Sequence, residues 1–225
     1  DDGKPIITLS KDYLDNQDTG EIKLKFDMNY GTDPVLTVEI NQYQSDVDLK
    51  DPTEITAGQE QPITFTFEDK DGNPIVEKEV TLSEDGLGDD DKVEYSLDGV
   101  NWVDDINGLN SGLETDGDGQ VKVFVRSEVA GEKGTISAAV DSEIVTSGEL
   151  EIVADEANRL GFVEQPQDNF VGQELDSVEV GVLDQFGNII TDYENGNITI
   201  KIKNNPADGN LSGTTTAAIE NGIAS

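Results

Sequence analysis

The sequence predicts an all-β chain built from β-sandwich domains in tandem. Three observations predict it. Apolar and polar residues alternate at period two in segment after segment. Clusters of Gly, Asn, Asp and Pro separate those segments. One pattern also returns after about 115 residues. Successive strand side chains point to opposite faces, so strict alternation marks a strand with one buried face.

The strands follow in chain order. Ile22, Leu24, Phe26 and Met28 alternate in GEIKLKFDM, and Ile63, Phe65 and Phe67 in PITFTFED. Val121, Val123 and Val125 follow in QVKVFVRS, Val178, Val180 and Val182 in SVEVGVLD, and Ile198, Ile200 and Ile202 in NITIKIKN. Between them DKDGNP, TDGDG and NNPADGN read as turns, because Gly supplies positive φ and Asp or Asn closes the backbone on itself. The best helical candidate, DEANR at 155–159, is too short and reads as a linker.

The repeat sets domain boundaries. GQEQPITFTFEDKDGNPI (58–75) aligns with GQELDSVEVGVLDQFGNII (172–190). Asp69, Gly72 and Asn73 match Asp184, Gly187 and Asn188 at an offset of 115, while Gly58 and Gly172, like Pro52 and Pro166, differ by 114. Such a period suits a sandwich of about seven short strands. Upstream, residues 19–40 resemble 118–140, with Gly20 against Gly119, Ile22 against Val121 and Val38 against Ala138. Residues 1–46 therefore read as the C-terminal part of a repeat or a small β subdomain. Residues 47–154 read as a complete sandwich with an acidic insertion at 84–112, and 155–225 as a further sandwich, truncated in its last strands. A half sandwich leaves an apolar face uncovered. The remaining halves lie outside this stretch, come from neighbouring molecules, or are replaced by a small sheet of 1–46 packed on the next domain.

Composition narrows the function. The 225 residues carry 49 Asp plus Glu against 14 Lys plus Arg, a formal net charge of -35. Such a surface repels nucleic acid and anionic lipid and attracts cations. Hydrophobic residues make up 34%, a lean but sufficient core for sandwiches, and no apolar run approaches a membrane span. Membrane insertion is therefore not expected. The chain opens with Asp1 and Asp2, so a leader is expected to be removed or to lie outside it. Cys and His are both absent, which excludes disulfides, thiol nucleophiles, histidine bases and Cys/His metal centres.

The repeated DxxGN segment joins two strands. Gly72 and Gly187 are expected at positive φ, which Asn73 and Asn188 also tolerate, and Asp69 and Asp184 are expected to accept backbone N–H groups. The alternative role for the acids is calcium. Candidate ligands are Asp69 and Asp71 beside the first turn, Asp104 and Asp105 after Trp102, and Asp116 and Asp118 in TDGDG, with Asp89, Asp90 and Asp91 as a further acidic run. Calcium needs six to eight oxygens, so two loops would have to converge, as loops do at each end of a sandwich. No twelve-residue EF-hand register is present. Paired carboxylates also serve glycosidases, but no pair stands out here, and no nucleotide-binding loop occurs. Trp102, Tyr95 and Tyr193 are the aromatic residues available to stack on a glycan, with packing of Trp102 on its own hairpin as the alternative. An enzyme in this segment is not expected.

The repeat resembles bacterial immunoglobulin-like repeats of the invasin and intimin type. The residues that carry the resemblance are Asp69, Gly72, Asn73, Pro74 and Ile75, then Thr115, Asp116, Gly119 and Val121, and in the second repeat Asp184, Gly187, Asn188 and Ile189. LSGTTTAAIENGIAS and VEYSLDGVNWVDD resemble stretches of Gram-positive surface-layer and cell-wall proteins. The resemblance implies an extracellular protein of the cell wall or surface layer. Its expected role is structural, holding lattice spacing in a self-assembling, calcium-stabilised array. The expected partners are copies of itself, with cell-wall polymer bound through regions outside this chain and no nucleic acid. The alternatives are the stalk or tip of an adhesin, with 84–112 as the contact loop, and a glycan-binding accessory domain of a secreted enzyme.

Overall fold

A computed structural model describes residues 20–25, 35–40, 43–87, 92–165, 170, 173, 176–204 and 208–225. Phe26, Met28, the run Asp89 to Asp91, Pro166 and Gly172, all used in reading the sequence, lie outside the described residues. The fold is all-β with immunoglobulin-like sheet topology. An N-terminal hairpin pairs β1 (Gly20–Lys25) with β2 (Val35–Ile40). The first sandwich contains β3 (Tyr43–Val47), β4 (Thr53–Thr56), β5 (Glu60–Asp69), β6 (Val80–Asp85), β7 (Val93–Ser96), β8 (Gln120–Ser127), β9 (Lys133–Val140), β10 (Glu143–Thr146) and β11 (Leu150–Val153). The second unit contains β12 (Arg159–Glu164), β13 (Glu179–Leu183), β14 (Asn197–Thr199), β15 (Thr216–Ala218) and β16 (Ile223–Ala224).

In the first sandwich one antiparallel sheet has the order β3-β5-β8-β7. The other runs β10-β9-β11-β4, with β6 also on β9 and β11 parallel to β4. Alternation explains the interior. Ile63, Phe65 and Phe67 of β5 and Val121, Val123 and Val125 of β8 point inward, where they meet Leu82, Ile136, Ala138, Val140, Leu150 and Ile152. Each large side chain so buried contributes roughly 1.5–3 kcal/mol of transfer free energy.

The described residues of 84–112, expected as an acidic insertion, form part of the sandwich wall. They supply β7 and a 3-10 turn over Ile106–Leu109, and Leu87, Val93, Tyr95 and Ile106 enter the core. Asn110 fastens the segment: its Oδ1 accepts from Leu82 N at 2.7 Å and its Nδ2 donates to Leu82 O at 2.9 Å, so one side-chain amide imitates a neighbouring strand. Val93, Tyr95 and Leu97 alternate within this acid-rich stretch, but β7 ends at Ser96 and Leu97 stands exposed.

Side chains also close one side of the sandwich. Tyr43 Oη donates to Asp141 at 2.6 Å and Ser45 Oγ to Glu143 Oε1 at 2.6 Å, tying β3 of one sheet to the β9–β10 hairpin of the other. The bond to Asp141, with burial and the carboxylate charge added, pushes the Tyr43 hydroxyl up from 10.0 to about 12. The neutral phenol is thus favoured in the folded state. Its contribution is complete below pH 10 and is lost as pH rises through about 12. Tyr43→Phe should lower the first sandwich's melting temperature at neutral pH, and the gap from the parent should narrow between pH 10 and pH 12. Calorimetry of both proteins across that range checks it, and a gap constant with pH would remove the tie from the account.

The second unit repeats the first in register. Leu160 pairs with Val182 and Gly161 with Gly181 where Ser45 pairs with Phe67 and Asp46 with Thr66, every residue displaced by 115. Its interior is smaller: Val182, Ile190, Ile219 and Ala224, with Tyr193 and Ile198 packed against them. The expected buried row of Ile198, Ile200 and Ile202 holds only for Ile198. β14 ends at Thr199, and Ile200 and Ile202 stand exposed. Ile198 of β14 and Ala217 of β15 pack on this interior, while Leu160 and Phe162 of β12 stand exposed.

Candidate functional site

The most built feature outside the core is the joint between the two units, and the DxxGN turn makes it. In the first repeat the turn is a self-contained knot. Asp69 Oδ1 accepts from Asp71 N at 2.8 Å and Asn73 N at 2.9 Å, and its Oδ2 accepts from Asn73 Nδ2 at 2.9 Å. The Asn73 amide and backbone bonds hold the Asp69 carboxyl below the usual range. Gly72 takes φ +80° and Gly187 φ +102°, as expected. Neither Asn73 nor Asn188 adopts positive φ. Each asparagine works through its side-chain amide.

The same knot in the second repeat is buried and extended. Asp184 is 0% exposed. Its Oδ1 accepts from Phe186 N at 2.9 Å, Gly187 N at 2.7 Å and Asn188 N at 2.8 Å. Its Oδ2 accepts from Asn188 Nδ2 at 2.8 Å and from Asp155 N, in the linker, at 3.1 Å. Burial works to raise this carboxyl, yet the Asn188 amide and the N–H groups of Asp155, Asn188 and Gly187 outweigh it and hold it low. A carboxylate with this many donors stays ionised in a buried place.

Asn188 then crosses to the first sandwich. Its Nδ2 donates to Glu128 O at 2.8 Å and its Oδ1 accepts from Ala130 N at 3.0 Å, both in the turn between β8 and β9. Phe186 plugs the same junction, packing on the first sandwich's core. It fits because Gly58 is bare: a Cβ there would lie 2.5 Å from Phe186 Cζ. Asn158 N donates to Leu183 O at 2.9 Å, and Gln185 Nε2 donates to Asp155 Oδ2 at 3.0 Å, so the 154–158 linker is held as well. One turn therefore grips the linker, the end of the first sandwich and its own strand. Such a joint fixes orientation rather than performing chemistry.

The candidate calcium ligands occupy separate turns. Asp116 Oδ1 accepts from Asp118 N and Gln120 N, each at 2.9 Å. Asp105 accepts from Asn107 N at 2.9 Å and caps the 3-10 turn. Asp71 pairs with Lys70 at 3.0 Å, and Asp104 and Asp118 are exposed. Among the described residues no three acidic side chains converge on a cation-sized point. Sequence reasoning passed over Asp98, which accepts from Val100 N and Asn101 N at 2.8 Å each and from Asn101 Nδ2 at 2.7 Å. Those bonds, the Asn101 backbone first, hold its carboxyl far below the usual range. The signal was an Asp followed closely by an Asn, three residues on here and four on in the 69–73 and 184–188 knots.

The three aromatic candidates are engaged in packing. Tyr95 lies in the core and Tyr193 packs on the second unit's interior. Trp102 is capped by Arg126, whose guanidinium carbon lies 3.9 Å from the ring centroid. Glu94, at 2.8 Å from Arg126 Nε, and Glu60, at 3.7 Å from its Nη1, hold that cap in place. Trp102 therefore serves a cation–π stack with Arg126 of β8.

No protein-family model matches the chain. Among solved structures, the chain is similar to the S-layer protein SbsC, domains 4 and 5, at 19% identity and a TM-score of 0.36, over 54% of this chain and 59% of that one. It is similar to FdeC, an Escherichia coli adhesin, at 16% identity and a TM-score of 0.41, over 92% of this chain and 63% of that one. It is similar to the Yersinia pseudotuberculosis adhesin InvE at 14% identity and a TM-score of 0.37, over 80% and 49%. The chain thus spans less than two thirds of each of these structures. At these identities the functional reading rests on the geometry of the joint.

Proposed function

We propose that this chain is a spacer segment of an extracellular bacterial surface protein, in which immunoglobulin-like units are held at a fixed angle as in the stalk of an adhesin. The observation that carries the reading is the Asn188–Phe186 joint. Flexible linkers need no buried carboxylate or aromatic plug. A segment that must project a distant part of the molecule away from a cell does. The acidity and the absence of Cys and His support an exposed, chemically inert role. The experiment is protease shaving of intact cells. Loss of the protein while cytoplasmic markers survive supports the proposal, and complete protection abolishes it.

A second reading, a segment of a self-assembling surface layer, is favoured by the tandem repeat, whose strands pair in the same register at an offset of 115. Calcium enters either reading as a counter-ion rather than at a built site, because Asp69, Asp105, Asp116 and Asp184 already accept hydrogen bonds from their own turns. With 35 excess negative charges, divalent cations should stabilise by screening. Calcium and magnesium at equal concentration should therefore raise the melting temperature equally. A rise with calcium alone would instead point to a coordinating site.

A further inference from the structure

The step from asparagine to glycine occurs at Asn107–Gly108, Asn195–Gly196 and Asn221–Gly222. At such a step the backbone can attack its own side chain, because no Cβ on the glycine obstructs the approach of its nitrogen to the asparagine Cγ. A folded chain prevents the attack by holding the glycine N–H in a hydrogen bond or by holding the asparagine amide away. The three steps differ in both respects.

At 107–108 both groups are held. Gly108 N donates to Asp105 O at 2.9 Å, and Asn107 Nδ2 donates to Asp105 Oδ1 at 2.8 Å. At 221–222 the step forms the corner of a tight hairpin. Asn221 has φ +49° and Gly222 φ +77°, the paired positive angles of a type I′ turn. Gly222 is buried, and its N–H donates to Tyr193 O at 2.9 Å. At 195–196 neither group is held. Asn195 and Gly196 are both exposed. Among the described residues no group accepts from the Gly196 N–H, and none bonds the Asn195 amide. A Cβ built on Gly196 would meet nothing beyond its chain neighbours closer than Ile219 Cδ1, at 4.0 Å. The step is nevertheless tied to the interior through its carbonyl. Gly196 O accepts from Ile219 N at 3.2 Å, and Ile219 is a buried residue of the second unit's core.

We propose that Asn195 is a site of spontaneous covalent modification in the folded protein, converting through a cyclic imide to aspartate and isoaspartate while Asn107 and Asn221 are protected. The Gly196 nitrogen attacks Asn195 Cγ, a C–N bond closes the imide ring, and the Cγ–Nδ2 bond breaks. Nδ2 departs as ammonia, carrying the proton that Gly196 N gives up. Water then opens the ring. Opening at Cγ leaves aspartate in an ordinary chain. Opening at the backbone carbonyl leaves isoaspartate, with the chain routed through the side chain and lengthened by a methylene. Water is the only other reactant, and nothing is oxidised or reduced. Either product adds a negative charge to a chain that already carries 35 in excess. Isoaspartate also displaces Gly196 O, the acceptor of Ile219 N. The second unit should therefore loosen as the protein ages, with the first sandwich unchanged. Neither the reaction nor its effect depends on the spacer role.

Peptide mass mapping of the full chain, aged in warm and mildly alkaline buffer, tests this. The peptide holding Asn195 should gain the mass that separates a carboxylic acid from its amide, and enzymatic isoaspartyl methylation should label it. The peptides holding Asn107 and Asn221 should lag by roughly tenfold or more, since a hydrogen bond worth about 1.4 kcal/mol must open first. In denaturant, where those bonds are gone, all three should convert at similar rates. Asn195→Gln, whose longer side chain closes a ring far more slowly, should leave a folded chain whose second unit melts the same before and after ageing, while the parent's melting temperature falls. Equal conversion of the three asparagines in the folded chain would overturn the proposal. So would an Asn195 that stays intact in the folded chain while the denatured chain converts. A parent whose second unit melts unchanged after full conversion would overturn the link to Ile219.

Discussion

Asp184→Ala should destabilise the second unit by about 3 kcal/mol and release it from the first sandwich at the same time. The substitution removes the only acceptor described for the N–H groups of Phe186, Gly187 and Asp155, and leaves Asn188 N without its carboxylate. It also frees the Asn188 amide to rotate, and that amide spans to Glu128 and Ala130. Calorimetry should show the second unit melting earlier, with the first sandwich little changed. Proteolysis should then cut in the 154–158 linker. Asp69→Ala removes the same knot where it is exposed and touches no neighbour, so its effect should be confined to a smaller loss in the first sandwich. The acid response separates the two roles further. Asp184 is held below the ordinary carboxyl value of 3.8, so its contribution is complete above that value and is lost as pH falls below it. The parent joint should therefore loosen on acidification, and the Asp184→Ala joint, already loose, should show no such step. Equal linker cleavage in parent and variant at neutral pH would mean that the carboxylate does not hold the joint.

Gly119→Ala should cost the first sandwich about 3 kcal/mol or more, a large effect for a single methyl group. Gly119 adopts φ +70°, where an L side chain is strained, and its Cβ would lie 2.5 Å from Phe67 O and 3.0 Å from Ile75 N. Both neighbours are backbone atoms of the β5 region and have no rotamer by which to withdraw. Gly119 O also accepts from Phe67 N at 2.9 Å, so the strained residue is part of the sheet's own pairing. Gly222 repeats the arrangement in the second unit, with φ +77° and a Cβ that would lie 2.3 Å from Ile190 O. Asp118→Asn in the same TDGDG turn should change stability by less than about 0.5 kcal/mol, because its side chain is exposed and its backbone N–H still reaches Asp116. Thermal melts of the two variants decide between readings of the motif. A small effect of Gly119→Ala beside a large one of Asp118→Asn would return TDGDG to the acids.

Those contrasts show what the residues disclosed before the fold was known. Strands were legible where alternation filled an interior face, as in Ile63, Phe65 and Phe67, because one buried face imposes that period. The DxxGN turns were legible from Gly72 and Gly187, whose φ requires glycine. The joint was not, although its motif had been found, because the 69–73 and 184–188 turns share their consensus letters and differ in burial. The discriminating signal is Phe186, an aromatic where the first repeat has Asp71, together with Gly58 in another segment; only the fold brings that pair together. The 84–112 segment misled for a related reason. Acids such as Asp85, Asp98, Asp104 and Asp105 stand exposed, and the segment's acids outnumber Leu87, Val93, Tyr95 and Ile106, so composition conceals a core contribution. Ile200 and Ile202 misled in the opposite sense, since alternation marks a face that asks for cover without guaranteeing that one lies over it.

The central claim is that the two units hold one orientation. Spin labels at single introduced cysteines, one in each unit of this cysteine-free chain, measure it directly by dipolar spectroscopy. A single narrow distance distribution in the parent, broadened by Asn188→Ala and by Phe186→Ala, is the predicted result. A broad distribution in the parent, unchanged by either substitution, would contradict the account.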